Sequence, residues 1–75
     1  MIEIYGKDNC GYCESAKRFC EIKGLPYKYY KLGESFTREE LLEMFPNART
    51  FPQIKVDNQA IGGYTELSRY YEQVA

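Results

Sequence analysis

The residues able to do chemistry in this sequence are few, and three of them are cysteines: Cys10, Cys13 and Cys20. Cys10-Gly11-Tyr12-Cys13 sets two thiols three positions apart. One reading of such a pair is half of a zinc site. A structural zinc normally takes four Cys or His ligands. The chain has no His, and only Cys20 remains. An intrachain zinc would therefore need a carboxylate or a second chain, and no metal is expected. The other reading is thiol chemistry. An odd cysteine count, behind an N-terminus without the layout of a secretion signal, does not read as a disulfide framework. It points to a reducing, cytoplasmic setting in which the thiols react.

The elements that must position those thiols can be read from pattern. Ile2-Glu3-Ile4-Tyr5 alternates and is rich in strand formers. After a polar loop, Asn9 is a plausible N-cap for a helix from about Cys10 to Lys23. Cys13, Ala16, Phe19 and Cys20 give that helix an apolar face. Gly24-Leu25-Pro26 stops it. Tyr27 to Leu32 reads as a second strand and Gly33-Glu34-Ser35 as a turn. Thr37-Arg38-Glu39-Glu40 is a capping box, with Phe36 and Leu41 spaced as a hydrophobic staple. Leu41, Leu42 and Phe45 face inward from this second helix, which Pro46-Asn47 ends. Gln53-Ile54-Lys55-Val56 is a strand, Asp57-Asn58 a turn, and Gln59-Ala60-Ile61 a short hairpin partner that Gly62-Gly63 breaks. Leu67, Tyr70, Tyr71 and Val74 mark the last helix.

The order is β-α-β-α-β-β-α. Its opening β-α-β unit has one economical solution, two parallel strands joined by a right-handed crossover helix. The expected fold is α/β, one domain over residues 1–75, with a mixed four-stranded sheet covered by three helices. With 75 residues, 44% of them apolar, the chain suits one small globular domain. Ten Lys and Arg against eleven Asp and Glu leave a net charge of −1, which argues against a nucleic-acid partner. No run of 18 apolar residues exists, so no membrane span is expected. Eight Tyr and four Phe must supply much of the buried area.

A Cys-x-x-Cys that follows a first strand and opens a helix is a thioredoxin-like redox signature. Cys10 falls at a helix N-terminus, where free N–H groups and the helix dipole favour an anion. The thiolate is the nucleophile, so Cys10 is expected to attack. Lys7 adds positive charge nearby, and Asp8 opposes it. Cys13, one turn further in, is expected to resolve the mixed disulfide. Cys20, on the apolar face, reads as a small buried hydrophobe.

Over nearly its whole length the sequence resembles the glutaredoxin family. The resemblance rests on Lys7-Asp8-Asn9-Cys10-Gly11-Tyr12-Cys13, on Ala48-Arg49-Thr50-Phe51-Pro52-Gln53-Ile54, and on Gly62-Gly63-Tyr64-Thr65-Glu66-Leu67, in that order. It implies a thioredoxin fold, glutathione as electron donor, and disulfide or glutathionylated proteins as substrates. Ribonucleotide reductase is a customary client of the family, and a monomer is expected. The family pattern implies a glutathione groove beside Tyr12, with Lys7 and Arg49 attracting the glycyl carboxylate. Thr50, Phe51 and a cis Pro52 would pair with the cysteinyl part. Gly62 and Gly63 would allow close backbone approach beside Tyr64. Thr65, at the start of the last helix, would present its hydroxyl and the helix N-terminal amides to the γ-glutamyl carboxylate, with Glu66 near the amino group; the plainer reading of Thr65 is an N-cap.

The sequence departs from the family pattern at Gly11, where many dithiol members have proline, and at Phe51, where valine is common. Lack of that proline also accompanies members that hold a [2Fe-2S] cluster between two protomers, in which Cys10 would be the ligand together with glutathione. A further alternative is a small redoxin of the same fold, reduced by thioredoxin reductase.

Overall fold

A computed structural model describes residues 1–72. Strand β1 (Ile2–Gly6) leads into helix α1 (Gly11–Lys23) and strand β2 (Tyr27–Lys31). Helix α2 (Arg38–Met44) follows, then strands β3 (Gln53–Val56) and β4 (Gln59–Gly62), and helix α3 (Tyr64–Glu72). The sheet order is β2-β1-β3-β4. β1 and β2 run parallel, while β3 is antiparallel to both β1 and β4. This is the mixed four-stranded sheet with three helices that the sequence predicts, a thioredoxin fold.

Alternation along β1 divides the interior into two. Ile2 and Ile4 point to one face, where they meet Ala16 and Cys20 of α1, Ile54 and Val56 of β3, and Leu67 of α3. Tyr5 points to the other face and joins Phe36, Leu41 and Phe45 around α2. Period-two alternation is what lets one strand supply both layers. The tyrosines follow the same division: Tyr27 and Tyr29 of β2 pack on the first cluster, and Tyr30 on the second. Tyr5 stacks on Tyr30 with ring centroids 5.0 Å apart.

The helix ends match local chemistry with two corrections. The N-cap of α1 is Cys10, not Asn9; Asn9 takes a left-handed φ of 55°. Asn tolerates that conformation better than most residues, and it swings the chain so that the following cysteine caps. Gly24 closes α1 at φ 68°, its N–H reaching the carbonyls of Cys20 and Glu21. In α3 the face is narrower than expected: Leu67 is buried and Tyr71 packs on the core, but Tyr70 is 40% exposed. Tyr70 instead sits edge-on to Tyr71 at 5.1 Å. Val74 lies outside the described residues. Asp57 and Asn58, at φ 51° and 68°, make the tight turn between β3 and β4.

Helix α2 carries side chains toward the thiol end of the sheet, so its cap bears on the site. Thr37 Oγ1 accepts from the Glu40 N–H at 3.2 Å, and Glu40 Oε1 accepts from the Thr37 N–H at 2.8 Å. Phe36 and Leu41 of the predicted staple are both buried. With only seven residues, α2 depends on this cap. Thr37→Ala is expected to lower stability by about 1 kcal/mol and Tm by about 4–8 °C, read by thermal denaturation.

Candidate active site

Cys10 and Cys13 are joined by a disulfide, with Cα atoms 5.2 Å apart. The pair sits where β1 ends and α1 begins. Cys10 is half-buried, and Cys13 is 1% exposed. Cys10 Sγ accepts the Cys13 backbone N–H at 3.1 Å. The sulfur is therefore itself the helix cap, and the dipole argument made from spacing becomes a specific contact. A cap of this kind favours negative charge on the accepting atom. Cys10 is the more accessible sulfur of the pair and Cys13 the shielded one. Cys20 is fully buried, and burial pushes its thiol pKa up. It lies in the core cluster, as the reading of it as a small hydrophobe expects.

Beside the disulfide runs a groove of about 260 Å³ lined by Tyr12, Thr50, Phe51, Pro52, Gly63, Tyr64, Thr65 and Glu66. Each of these residues was singled out by the sequence, and three separate segments bring them together. Tyr12 projects from the first turn of α1, 67% exposed, and its ring stacks on Tyr64 with centroids 6.1 Å apart. The Phe51–Pro52 peptide is cis. Gln53, a buried polar side chain, donates to the Thr50 carbonyl at 2.7 Å and ties down the loop before Pro52. Across the groove, a Cβ on Gly63 would lie 3.3 Å from the Pro52 carbonyl oxygen, so the two segments touch through backbone. Gly62, at φ 116°, would put a Cβ 2.8 Å from Glu66 Cγ. Glycine is required there on both counts.

The start of α3 differs from the expectation for Thr65. Thr65 is the second residue of the helix rather than its cap. The Gly63 carbonyl accepts the first turn's Leu67 N–H at 3.0 Å, and the Gly63 N–H donates to Glu66 Oε1 at 2.8 Å. A glycine has no side chain with which to cap, so the glutamate three residues on does half of a capping box. Glu66 is thus engaged by its own helix, while Thr65 is exposed at the groove.

Lys7 and Arg49 do not line that groove. They line an adjoining hollow of about 340 Å³ that shares Thr50 and Phe51 with it. Arg38, which sequence reasoning missed, lies there as a third cation, with Leu41, Leu42 and Ala48 as an apolar wall. Lys7 Nζ sits 5.5 Å from the centre of the Phe51 ring. Among the described residues, none of these three cations has a carboxylate within ion-pair distance. The hollow is therefore a concentrated positive field in a chain of net charge −1.

A second hollow, lined by Cys10 and Tyr29, also receives Lys7, but its other two cations are neutralised. Lys31 Nζ lies 3.1 Å from Asp8 Oδ1 and 3.5 Å from Glu34 Oε2, and the bond to Asp8 raises its pKa. Lys17 pairs with Glu14 at 2.8 Å, and that hydrogen bond raises its pKa. Asp8, which worked against the thiolate in the sequence reading, is thus partnered. Among the described residues no three Cys, Asp or Glu side chains gather into a metal site.

The comparisons with known proteins agree with this geometry. The sequence model of the glutaredoxin family matches residues 2–61. Glutaredoxin 3 of Escherichia coli K12 is 37% identical over 67 residues, which are 88% of this chain and 80% of that protein. The structure of reduced E. coli glutaredoxin superposes with a TM-score of 0.81 at 33% identity, covering 96% of this chain and 93% of that one. A buckwheat glutaredoxin–glutathione complex superposes at 0.82 with 22% identity, over 97% of this chain and 69% of that one, a likeness of fold. With the Cys10–Cys13 disulfide flanking Tyr12, and a groove lined by residues of all three of its motifs, the chain belongs to the glutaredoxin family.

Proposed function

We propose that the protein is a glutathione-dependent thiol–disulfide oxidoreductase that reduces protein disulfides and removes glutathione from mixed disulfides, in a reducing compartment such as the cytoplasm. The observation that carries the reading is the groove beside Tyr12 together with the adjoining hollow, whose three cations have no ion pair among the described residues. Glutathione is a short anionic peptide with a thiol near its middle, and the groove suits it in each part. Its sulfur meets Cys10. Its cysteinyl backbone lies along Thr50, Phe51 and Pro52, an added strand in miniature. Its glycyl carboxylate enters the hollow of Lys7, Arg38 and Arg49. Its γ-glutamyl end lies at Gly63, Tyr64 and Thr65, where the first-turn amides of α3 favour a carboxylate.

The Cys10 thiolate attacks the substrate disulfide and one substrate sulfur leaves as thiolate. The Cys13 thiolate then attacks Cys10, releases the second substrate sulfur and leaves the Cys10–Cys13 disulfide. One glutathione thiolate opens that bond at Cys10, and a second removes the glutathionyl group as glutathione disulfide. For a glutathionylated substrate the first and last steps suffice, and Cys13 is dispensable.

Three measurements follow. In the reduced protein, limited iodoacetamide at neutral pH is expected to label Cys10 first, with Cys13 slower and Cys20 only on unfolding; peptide mass spectrometry reads the order, and prior labelling of Cys13 refutes the assignment. With glutathione, glutathione reductase and NADPH, Cys10→Ser is expected to lose at least about a hundredfold in turnover of a small glutathione mixed disulfide. Cys13→Ser is expected to stay active. Activity that appears only with thioredoxin reductase would overturn glutathione as donor. Finally, Arg38→Glu and Arg49→Glu are each expected to raise KM for glutathione about threefold to tenfold with little change in kcat, an effect that shrinks with added salt.

A further inference from the structure

Gly6 ends β1 directly beneath the disulfide, and the space left by its missing side chain is not empty. A Cβ there would collide with the Tyr29 hydroxyl, lie 2.8 Å from Tyr29 Cζ, and lie 3.0 Å from Cys13 Sγ. The phenol of Tyr29 and the buried sulfur of Cys13 therefore crowd one point from two elements. Tyr29 is half-buried on β2, and among the described residues its hydroxyl has no hydrogen-bond partner. Neutral in the disulfide, Cys13 Sγ is a weaker acceptor than it would be with a charge. A thiolate at the same place would be a good one.

We infer that Tyr29 is a further catalytic residue, whose hydroxyl donates a hydrogen bond to Cys13 Sγ as that sulfur leaves Cys10. The inference rests on the thiol–disulfide chemistry proposed above, but not on glutathione. An incoming thiolate reaches Cys10, because Cys13 is covered. A new S–S bond forms to Cys10, the Cys10–Cys13 bond breaks, and its electron pair goes to Cys13. That negative charge develops on the less solvated of the two sulfurs. Among the described residues no hydrogen bond reaches Cys13 Sγ, and the Cys13 N–H is given to Cys10. Tyr29 supplies the hydrogen bond, and the thiolate later takes its proton from solvent through the hollow that Tyr29 lines together with Cys10.

The surroundings keep Tyr29 in the donor state. Burial raises the phenol pKa, so the hydroxyl stays protonated at neutral pH, while Lys17 pulls the other way. Lys17 Nζ stands 4.4 Å from the ring centre, held by Glu14. Lys31, Asp8 and Glu14 also line the hollow. A cation over the ring makes the hydroxyl a stronger donor without ionising it.

The test is Tyr29→Phe, which removes one oxygen and keeps the ring under Lys17. Dithiothreitol opens the oxidised protein, and acid quenching with alkylation and mass spectrometry counts free thiols over time. Opening is expected to slow about fivefold to tenfold, the scale of one hydrogen bond to a charged group partly formed in the transition state. The control is iodoacetamide labelling of Cys10 in Cys13→Ser, with and without Tyr29→Phe, which is expected to be unchanged because no charge forms at position 13. Unchanged opening overturns the inference. So does equal slowing of opening and labelling, which marks a general disturbance of the thiol end. A protein that opens normally with dithiothreitol, shows the split, and ignores glutathione overturns the donor proposed above and leaves Tyr29 standing.

Discussion

The contact on which the site depends is the hydrogen bond from the Cys13 N–H to Cys10 Sγ. It makes one atom do two things. As a cap, the sulfur satisfies a donor that α1 would otherwise leave free. As a reactive group, it sits where a negative charge is already favoured. In the disulfide this N–H caps the helix through sulfur, and the same N–H would favour a thiolate there. The geometry follows from the loop before it. Asn9 in the left-handed region turns the chain by one residue, so Cys10 takes the extended conformation of a cap, φ −124° and ψ 105°. Had Asn9 capped, the thiols would stand one position deeper in the helix, and the exposed sulfur would lose its N–H.

The sheet carries that contact to the right place by dividing labour along β1. Ile2 and Ile4 fix α1 from beneath through Ala16 and Cys20, while Tyr5 holds α2 on the reverse face. Because both layers hang from one central strand, the thiols on α1 and the cations around α2 keep a constant relation. β3 lies against the same strand, Ile4 opposite Ile54, so Pro52 arrives at the level of the disulfide. A chain this short buries little in total. The aromatic residues answer that shortage: one ring group, Tyr5 with Tyr30, Phe36 and Phe45, makes most of the second cluster.

Local signals were legible in the sequence wherever a single segment determines its own shape. The capping box at Thr37, the stop at Gly24 and the alternation of β1 and β3 each act within a few residues, and each is present. The groove residues were legible because the family resemblance supplied what spacing alone does not. The misses all involve choices settled at a distance. Asn9 and Cys10 compete for one cap, and both are compatible with their sequence; the end of β1 decides. Thr65 has the right chemistry for a cap, yet backbone contact between Gly63 and Pro52 sets the helix start two residues earlier. Arg38 gives no sign of the site, since it meets Lys7 and Arg49 only after α2 folds over the sheet. Tyr29 reads as packing, and nothing in its own segment tells that its hydroxyl reaches Gly6 of the neighbouring strand.

These pieces amount to a directional field around one disulfide. On the side of the groove, Lys7, Arg38 and Arg49 are free of ion pairs among the described residues. On the far side, Lys17 and Lys31 are tied to Glu14, Asp8 and Glu34. Paired charges cancel within a few ångströms, whereas unpaired ones reach out to about a Debye length, about 8 Å at physiological salt. The unpaired charge near Cys10 is therefore heavier on the groove side, with Lys7 shared by both hollows. Net charge gives no hint of this, because a total of −1 is compatible with any arrangement of ten positive and eleven negative groups. The pairing of Asp8 and Glu14 on the far side, as much as the cations on the near side, gives the site its direction.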